Sequence, residues 1–478
     1  VNVLAIDQGT SATKALLVGP GDEVLGRGEV PVRTRSVDDG GVEADPEELF
    51  GSVVAAGEAA LAAAGAPAHA VALANQGETV LAWDRATGRP LTPAIVWQDR
   101  RASVVCDRLA DRAAELAEIT GLPLDPYFAA PKMTWLRENL TADGVVTTTD
   151  TWLLHRLGAG YVTDAATASR TMLLDLGAVE WSPGACAAFG IEAGSLPRVA
   201  DCAGVVGETS LFGPVLPVAG IAVDQQAALL AQRCLAAGDA KCTYGTGAFL
   251  LVTSGSVAAR SGAGLSASVA WRLGGSATYC LDGQVYTAGS ALRWLAGLGV
   301  LGSPAELDAV GSTVPDSGGV VFVPALAGLG APYWAPGARG LLSGLTLGTS
   351  RGHLARAVAE GIAASVAELV SAACADLGRP LASLRVDGGL TASRLLMQAQ
   401  ADLLQVPILL SRSGARGADA TALGVAALAR LGTGEAGSVG EALGPAEVEK
   451  VVEPSITADE AAMRLVAFRS AVEATRTW

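Results

Sequence analysis

The sequence predicts an α/β protein of two domains facing each other across a cleft, and three observations carry that expectation. At 478 residues the chain exceeds what one hydrophobic core organises, and two domains of roughly 200 residues or more are the natural division. Short apolar runs of strand length are interleaved with segments patterned for helix. The opening "AIDQGTSATKALLV" also returns in the second half as "CTYGTGAFLLV": strand, a turn of small polar residues, strand. One plan used twice places the boundary near residues 225–240, with domains expected at 1–228 and 229–478.

Taken in order, "VNVLAI" and "ALLV" are strands flanking the turn "DQGTSATK". Residues 45–64 form a helix announced by Asp45-Pro46-Glu47-Glu48, an acidic cap with proline and carboxylates in the first turn. "HAVALAN" and "TVLAWD" read as strands interrupted by Asn75-Gln76-Gly77-Glu78-Thr79. The segment "DRRASVVCDRLADRAAELAEIT" reads as one helix stopped by Gly121, and "PKMTWLRENL" as another. A last helix runs from Thr457 to about Thr477.

Composition narrows the function classes. Half the residues are apolar and the net charge is −15, with no block of Lys or Arg, so nucleic acid is disfavoured as a partner. Mean hydropathy is +0.38, yet the two long uncharged stretches are broken by Gly and Pro, and no membrane insertion is expected. The N-terminus enters a strand and reaches Asp7 with no basic region before it, unlike a signal peptide. Seven scattered cysteines without CxxC spacing, and three isolated histidines, suggest reduced thiols in a cytoplasm-like compartment and no zinc site.

Chemistry concentrates at four places. Both small-residue hairpins expose N–H groups and hydroxyls that can hold an anion such as phosphate. Asp7 ends a buried strand, where a carboxylate calls for a cation, and Mg2+ bridging to phosphate oxygens would supply one. Asp224 ends the apolar strand of "GIAVDQQAALLAQ" and suits a general base, while the same oxygens would equally serve an N-cap. Gly388 and Gly389 join the strand "LRVD" to a helix and let a flat ligand approach the backbone. Together, and without a Walker GxxxxGK[ST], these features suggest phosphoryl transfer from a nucleotide on a duplicated, actin-like frame.

Ordered matches along nearly the whole chain, among them "AIDQGTSATKALL", "GRPLTPAIVWQDRR", "DPYFAAPKMTWLREN", "GIAVDQQAALLAQ", "YTAGSALRWL" and "VDGGLTASRLLMQAQADLL", resemble the FGGY sugar and polyol kinases, and within them the glycerol kinases. The resemblance implies two ribonuclease-H-like (actin-like ATPase) domains closing over ATP, Mg2+ and a small polyol or sugar. The first domain would carry the substrate and the first phosphate loop, the second the nucleotide. It implies Asp224 as the base and Asp7 with Asp224 at the metal. Thr10, Ser11 and Lys14 would form the first phosphate loop, and Gly245, Thr246 and Gly247 the second. Gly289, Arg293, Gly388, Gly389 and Ser393 would line the nucleotide. Gln76, Gly77, Glu78, Trp97, Tyr127, Asp224, Gln225 and Phe249 would line the substrate. A homodimer or homotetramer is also implied.

One departure stands out. Glycerol kinases read Asn-Gln-Arg-Glu where this chain reads Asn75-Gln76-Gly77-Glu78. Losing a guanidinium fork should weaken glycerol binding, strand Glu78 and open volume for a larger polyol or ketose, with Asp99 as an acceptor for an extra hydroxyl. The expected function is therefore ATP-dependent phosphorylation of a terminal hydroxyl on a small polyol or sugar. The alternatives are glycerol kinase proper and a non-catalytic actin-like ATP sensor.

Overall fold

A computed structural model describes residues 1–411, 419–444 and 448–476. The first half is built on six strands: β1 (Val3–Gln8), β2 (Ala12–Val18), β3 (Val24–Pro31), β4 (Ala70–Asn75), β5 (Ala203–Thr209) and β6 (Leu216–Val223), in the order β5-β6-β4-β1-β2-β3. The β1–β2–β3 meander is antiparallel, β1–β4 and β4–β6 are parallel, and β5 returns antiparallel. The second half uses β7 (Ala240–Tyr244), β8 (Ala248–Gly255), β9 (Ser266–Leu273), β10 (Ser276–Val285), β11 (Leu384–Asp387), β12 (Ile408–Ser411) and β13 (Val448–Val452), in the order β9-β10-β8-β7-β11-β12-β13. Set β9 aside as an added edge strand and the directions repeat: antiparallel β10–β8–β7, parallel β7–β11–β12, antiparallel β13. The duplication suggested by two hairpins is thus a duplication of whole sheets.

The sequence pattern explains the layering. β4 is buried along its full length because both faces of the sheet are covered, which is why it reads as a continuous Ala/Val/Leu run rather than an alternation. On one face α1 (Pro46–Ala64) packs against β2 and β3. Asp45 caps it by accepting from the Glu47 N–H at 2.9 Å, and Gly65 ends it at φ 59°. The helices flanking the cleft are α2 (Asp224–Ala231), directly after β6, and α3 (Gly289–Gly297), directly after β10. In the second half α4 (Arg351–Leu377) runs under β8 and β10 and against α5 (Arg394–Leu404). α6 (Ala420–Gly432) crosses back onto β1, β4 and β6 and packs on α2, where a Cβ on Gly424 would sit 1.9 Å from the Ala227 carbonyl oxygen.

One detail differs from the sequence expectation. The segment read as one helix up to Thr120 is split into Ser103–Arg108, a 3-10 turn and Ala113–Thr120, breaking where Leu109 turns into the core shared with Val105 and Leu116. The helix α4 is long and apolar enough to cross a membrane, but 83% of its most apolar window is buried in the protein, so that composition reflects a core helix. The last helix, Ala458–Arg476, packs on α4 and α5; Thr477 lies outside the described residues. All seven cysteines are free thiols, six of them buried.

Candidate active site

The strand ends of the two sheets face one cavity of about 550 Å3. It is lined by Thr10, Ser11, Lys14, Gln76, Gly77, Glu78, Trp97, Tyr127, Asp224, Gln225, Gly245, Thr246, Phe249 and Arg293, so the implied substrate set and most of both phosphate loops come together. Sequence reading had missed Arg170, Val223, Asp282 and Gln284, which line it too. A second groove of about 880 Å3 holds Gly388 and Gly389. Asp7, Gly247, Gly289 and Ser393 border neither space directly. A Cβ on Gly289 would lie 2.7 Å from the Gly245 carbonyl oxygen, so that glycine lets α3 buttress the second hairpin. Ser393 caps α5, accepting from the Leu396 N–H at 3.1 Å while donating to Asp308.

The interruption after β4 is a tight turn closed by the Thr79 N–H on the Gly77 carbonyl at 2.8 Å, with Glu78 at φ 58°. A non-glycine residue there stores roughly 1–3 kcal/mol of strain, a pattern that recurs at ligand sites. Gln76 is held by protein: Thr10 donates to it at 3.0 Å and it donates to Gln8 at 3.3 Å. Trp97 donates its indole N–H to Thr10 at 2.9 Å, tying the substrate wall to the first phosphate loop. Its ring meets Tyr127 and Phe249 edge-on at 5.8 and 6.1 Å, forming an aromatic wall. Behind Tyr127, the fully buried Lys132 donates to the carbonyls of Pro126 at 2.9 Å, Phe128 at 2.6 Å and Tyr127. Burial pulls this amine down to about 7, but three acceptors require the three N–H groups of the ammonium form.

Three expectations at Gly77 need correction. Glu78 is not stranded: the buried Arg170 donates from Nε to its Oε1 at 2.6 Å and from Nη1 to Asp282 Oδ2 at 2.5 Å. A guanidinium therefore stands beside Glu78, supplied from elsewhere in the chain. Asp99 is unavailable to an extra hydroxyl. It is fully buried, with its oxygens taken by the Arg101 side chain at 2.7 Å and by the Val42 N–H at 2.8 Å. Nor is the space at residue 77 simply open, because a Cβ there would come 3.0 Å from Val223 Cγ2.

The carboxylates form a repelling set. Asp224 is the first residue of α2 rather than its N-cap, and one oxygen accepts from the Gln225 N–H at 2.7 Å. Burial and the Glu78 carboxylate push it up to about 6, which leaves it ionised at neutral pH. Asp7 is pushed up to about 7 by burial and by Asp224 and Asp419, with Lys14, its cross-strand partner, opposing. Gln225 is positioned by Lys241, which donates to it at 2.6 Å and to Thr243 at 2.8 Å. A divalent cation fits this charge pattern, because it would relieve the repulsion that raises Asp7. Among the described residues no group of three His, Cys, Asp or Glu side chains is arranged to enclose one.

Comparison with known proteins gives the family. The model of the FGGY family of carbohydrate kinases, N-terminal domain, matches residues 2–231, and that of the C-terminal domain matches residues 240–432. A glycerol kinase of Aromatoleum aromaticum is 42% identical over 494 residues, covering 100% of this chain and 99% of its own. One of Alkalilimnicola ehrlichii is 45% identical over 452 residues, 90% of each chain. The crystal structure of Plasmodium falciparum glycerol kinase with ADP superposes with a TM-score of 0.91 at 30% identity, covering 99% of this chain and 98% of the other. A xylulose kinase from Brucella ovis gives 0.87 at 27%, covering 100% and 98%.

Proposed function

Because the chain belongs to the FGGY family of carbohydrate kinases, phosphotransferases acting on an alcohol group, we propose that it moves the γ-phosphoryl group of ATP to a terminal hydroxyl of a small polyol or sugar larger than glycerol. The observation carrying the choice of acceptor is Gly77 with Val223 packed against it, which leaves Arg170 as the guanidinium beside Glu78. The fork that would donate from position 77 is absent, and the donor present is Arg170, which also bonds Asp282.

In this reading Asp224 takes the proton of the attacking hydroxyl, being ionised at neutral pH and at the strand end facing the cleft. Glu78 accepts from neighbouring hydroxyls, and Trp97, Tyr127 and Phe249 pack against the carbon chain. The two hairpins present Thr10–Ser11 and Gly245–Thr246 to the phosphates, with Lys14 adding positive charge. Asp7 and Asp224 would hold Mg2+, which when bound neutralises phosphate charge. Closure of the halves would exclude water from the ionised base.

Glycerol itself is a second reading, favoured by the names of relatives at 42–45% identity and by retention of Glu78, Trp97, Tyr127 and Asp224. A panel of glycerol, tetritols, pentitols and ketoses, scored by ADP release, separates the two. A kcat/KM for glycerol equal to or above all others would overturn the larger-acceptor reading. An ATP-binding protein that no acceptor stimulates would overturn the kinase.

A further inference from the structure

We infer that Arg170, Asp282 and Gln284 form a subsite for acceptor hydroxyls beyond the end that is phosphorylated, so that chain length is read there. The inference rests on the kinase reading above and narrows the acceptor to four- and five-carbon polyols or ketoses.

Arg170 follows the short helix Ala165–Ser169 and is buried. Its Nε and Nη1 are taken by Glu78 and Asp282, and among the described residues Nη2 meets no acceptor, although the residue lines the cavity. Asp282 and Gln284 stand two apart on β10 and so share a face of the strand, opposite Arg170. Ser268 steadies Asp282 with a hydrogen bond of 3.2 Å. Gln284 is only 2% exposed, and its amide nitrogen is buried without a partner of normal geometry, although the Tyr286 hydroxyl is beside it. A buried N–H left unpaired calls for an explanation, and a ligand is one.

Arg170 bridges Glu78 at 2.6 Å and Asp282 at 2.5 Å, so these groups form one chain along the wall of the cavity that Asp224 also lines. Beside Glu78 the cavity wall carries the Arg170 guanidinium, the Asp282 carboxylate and the Gln284 amide. That donor-and-acceptor set matches hydroxyls, each of which gives and takes one hydrogen bond. Phosphate and carboxylate are disfavoured beside Asp282 and Glu78.

The test uses the full chain with ATP and Mg2+, and glycerol, a tetritol, a pentitol and a 2-ketopentose as acceptors. Gln284→Met keeps shape and removes the unpaired donor. The ratio of kcat/KM for the longer acceptors to that for glycerol should fall at least tenfold, with KM for ATP unchanged and no drop in thermal midpoint. Asp282→Asn should lower the same ratio further. Equal losses on every acceptor, or an unchanged ratio in Gln284→Met, would overturn the subsite. If glycerol proves the best acceptor of the unmodified protein, the larger-acceptor reading fails on that measurement alone. The ratio in the variants still decides the subsite.

Discussion

The cavity between the sheets and the groove beside Gly388 sit at the ends of strands with the same topology, yet they are made differently. The first is lined by charged and aromatic side chains, Glu78, Arg170, Asp224, Trp97 and Tyr127 among them, with Glu78, Arg170 and Tyr127 buried. The second is lined by charged and aliphatic side chains around a glycine turn, with no aromatic ring among its described lining residues. Gly388, at φ 93°, leaves no room for a side chain, since a Cβ would sit 2.4 Å from the Tyr244 carbonyl oxygen. A duplicated frame thus supplies two sets of strand ends, one walled by aromatic rings beside a carboxylate, a reaction chamber, the other opened at its turn by glycine, a cradle. The comparison predicts that charge changes act mainly on turnover in the first region. In the second, changes at the glycine turn should act through backbone geometry.

The largest effect should come from Asp224→Asn. Removing the base that closes β6 should lower kcat by roughly 100-fold to 10,000-fold while ATP affinity stays within a few fold. Single-turnover kinetics and nucleotide titration check this. Turnover near that of the unmodified protein would dissolve the contrast between chamber and cradle.

Lys132→Met comes next. Three carbonyls around Tyr127 would lose their shared donor in a buried site, a loss of roughly 2–5 kcal/mol even though a costly buried charge is removed with it. A lowered thermal midpoint and a KM rise for the acceptor larger than that for ATP are expected. An unchanged midpoint would mean the loop is held by the aromatic wall alone.

Much of this was legible in the residues. The two hairpins, Asp7, Asp224 and the glycine turn after β11 all stand at strand ends, where apolar runs stop abruptly at small or charged residues. Pairings between distant segments were not legible. Nothing near Gly77 announces that Arg170, 93 positions on, faces Glu78, or that Asp282 arrives from the other half. The signal available was the lone arginine in the small-residue stretch "DAATASRTM", an expensive residue to bury without partners. Asp99 misled for the converse reason. Its neighbours in sequence line the cavity, but Arg101 turns it away.

That lesson shapes the prediction at residue 77. Gly77→Arg alone should gain little, because its Cβ meets Val223. Gly77→Arg with Val223→Ala should raise kcat/KM for glycerol by about tenfold or more over the single variant, the range of a charge-assisted hydrogen bond. Additive effects in the double-mutant cycle would show that the two positions are not a packed pair.

The smallest effect belongs to the cradle. Ser393 spends its hydroxyl on the protein, accepting from Leu396 and donating to Asp308, and Asp308 also accepts from the Arg394 N–H at 2.8 Å. The start of α5 is therefore capped twice. Ser393→Ala should cost about 1 kcal/mol at most, as an N-cap loss does, with Asp308 still in place. Because the hydroxyl is already committed, KM for ATP and the preference among nucleoside triphosphates should not move. A strong change in base preference with an unchanged thermal midpoint would place the Ser393 side chain on the nucleotide, and the second region would then read its ligand with side chains as the first does.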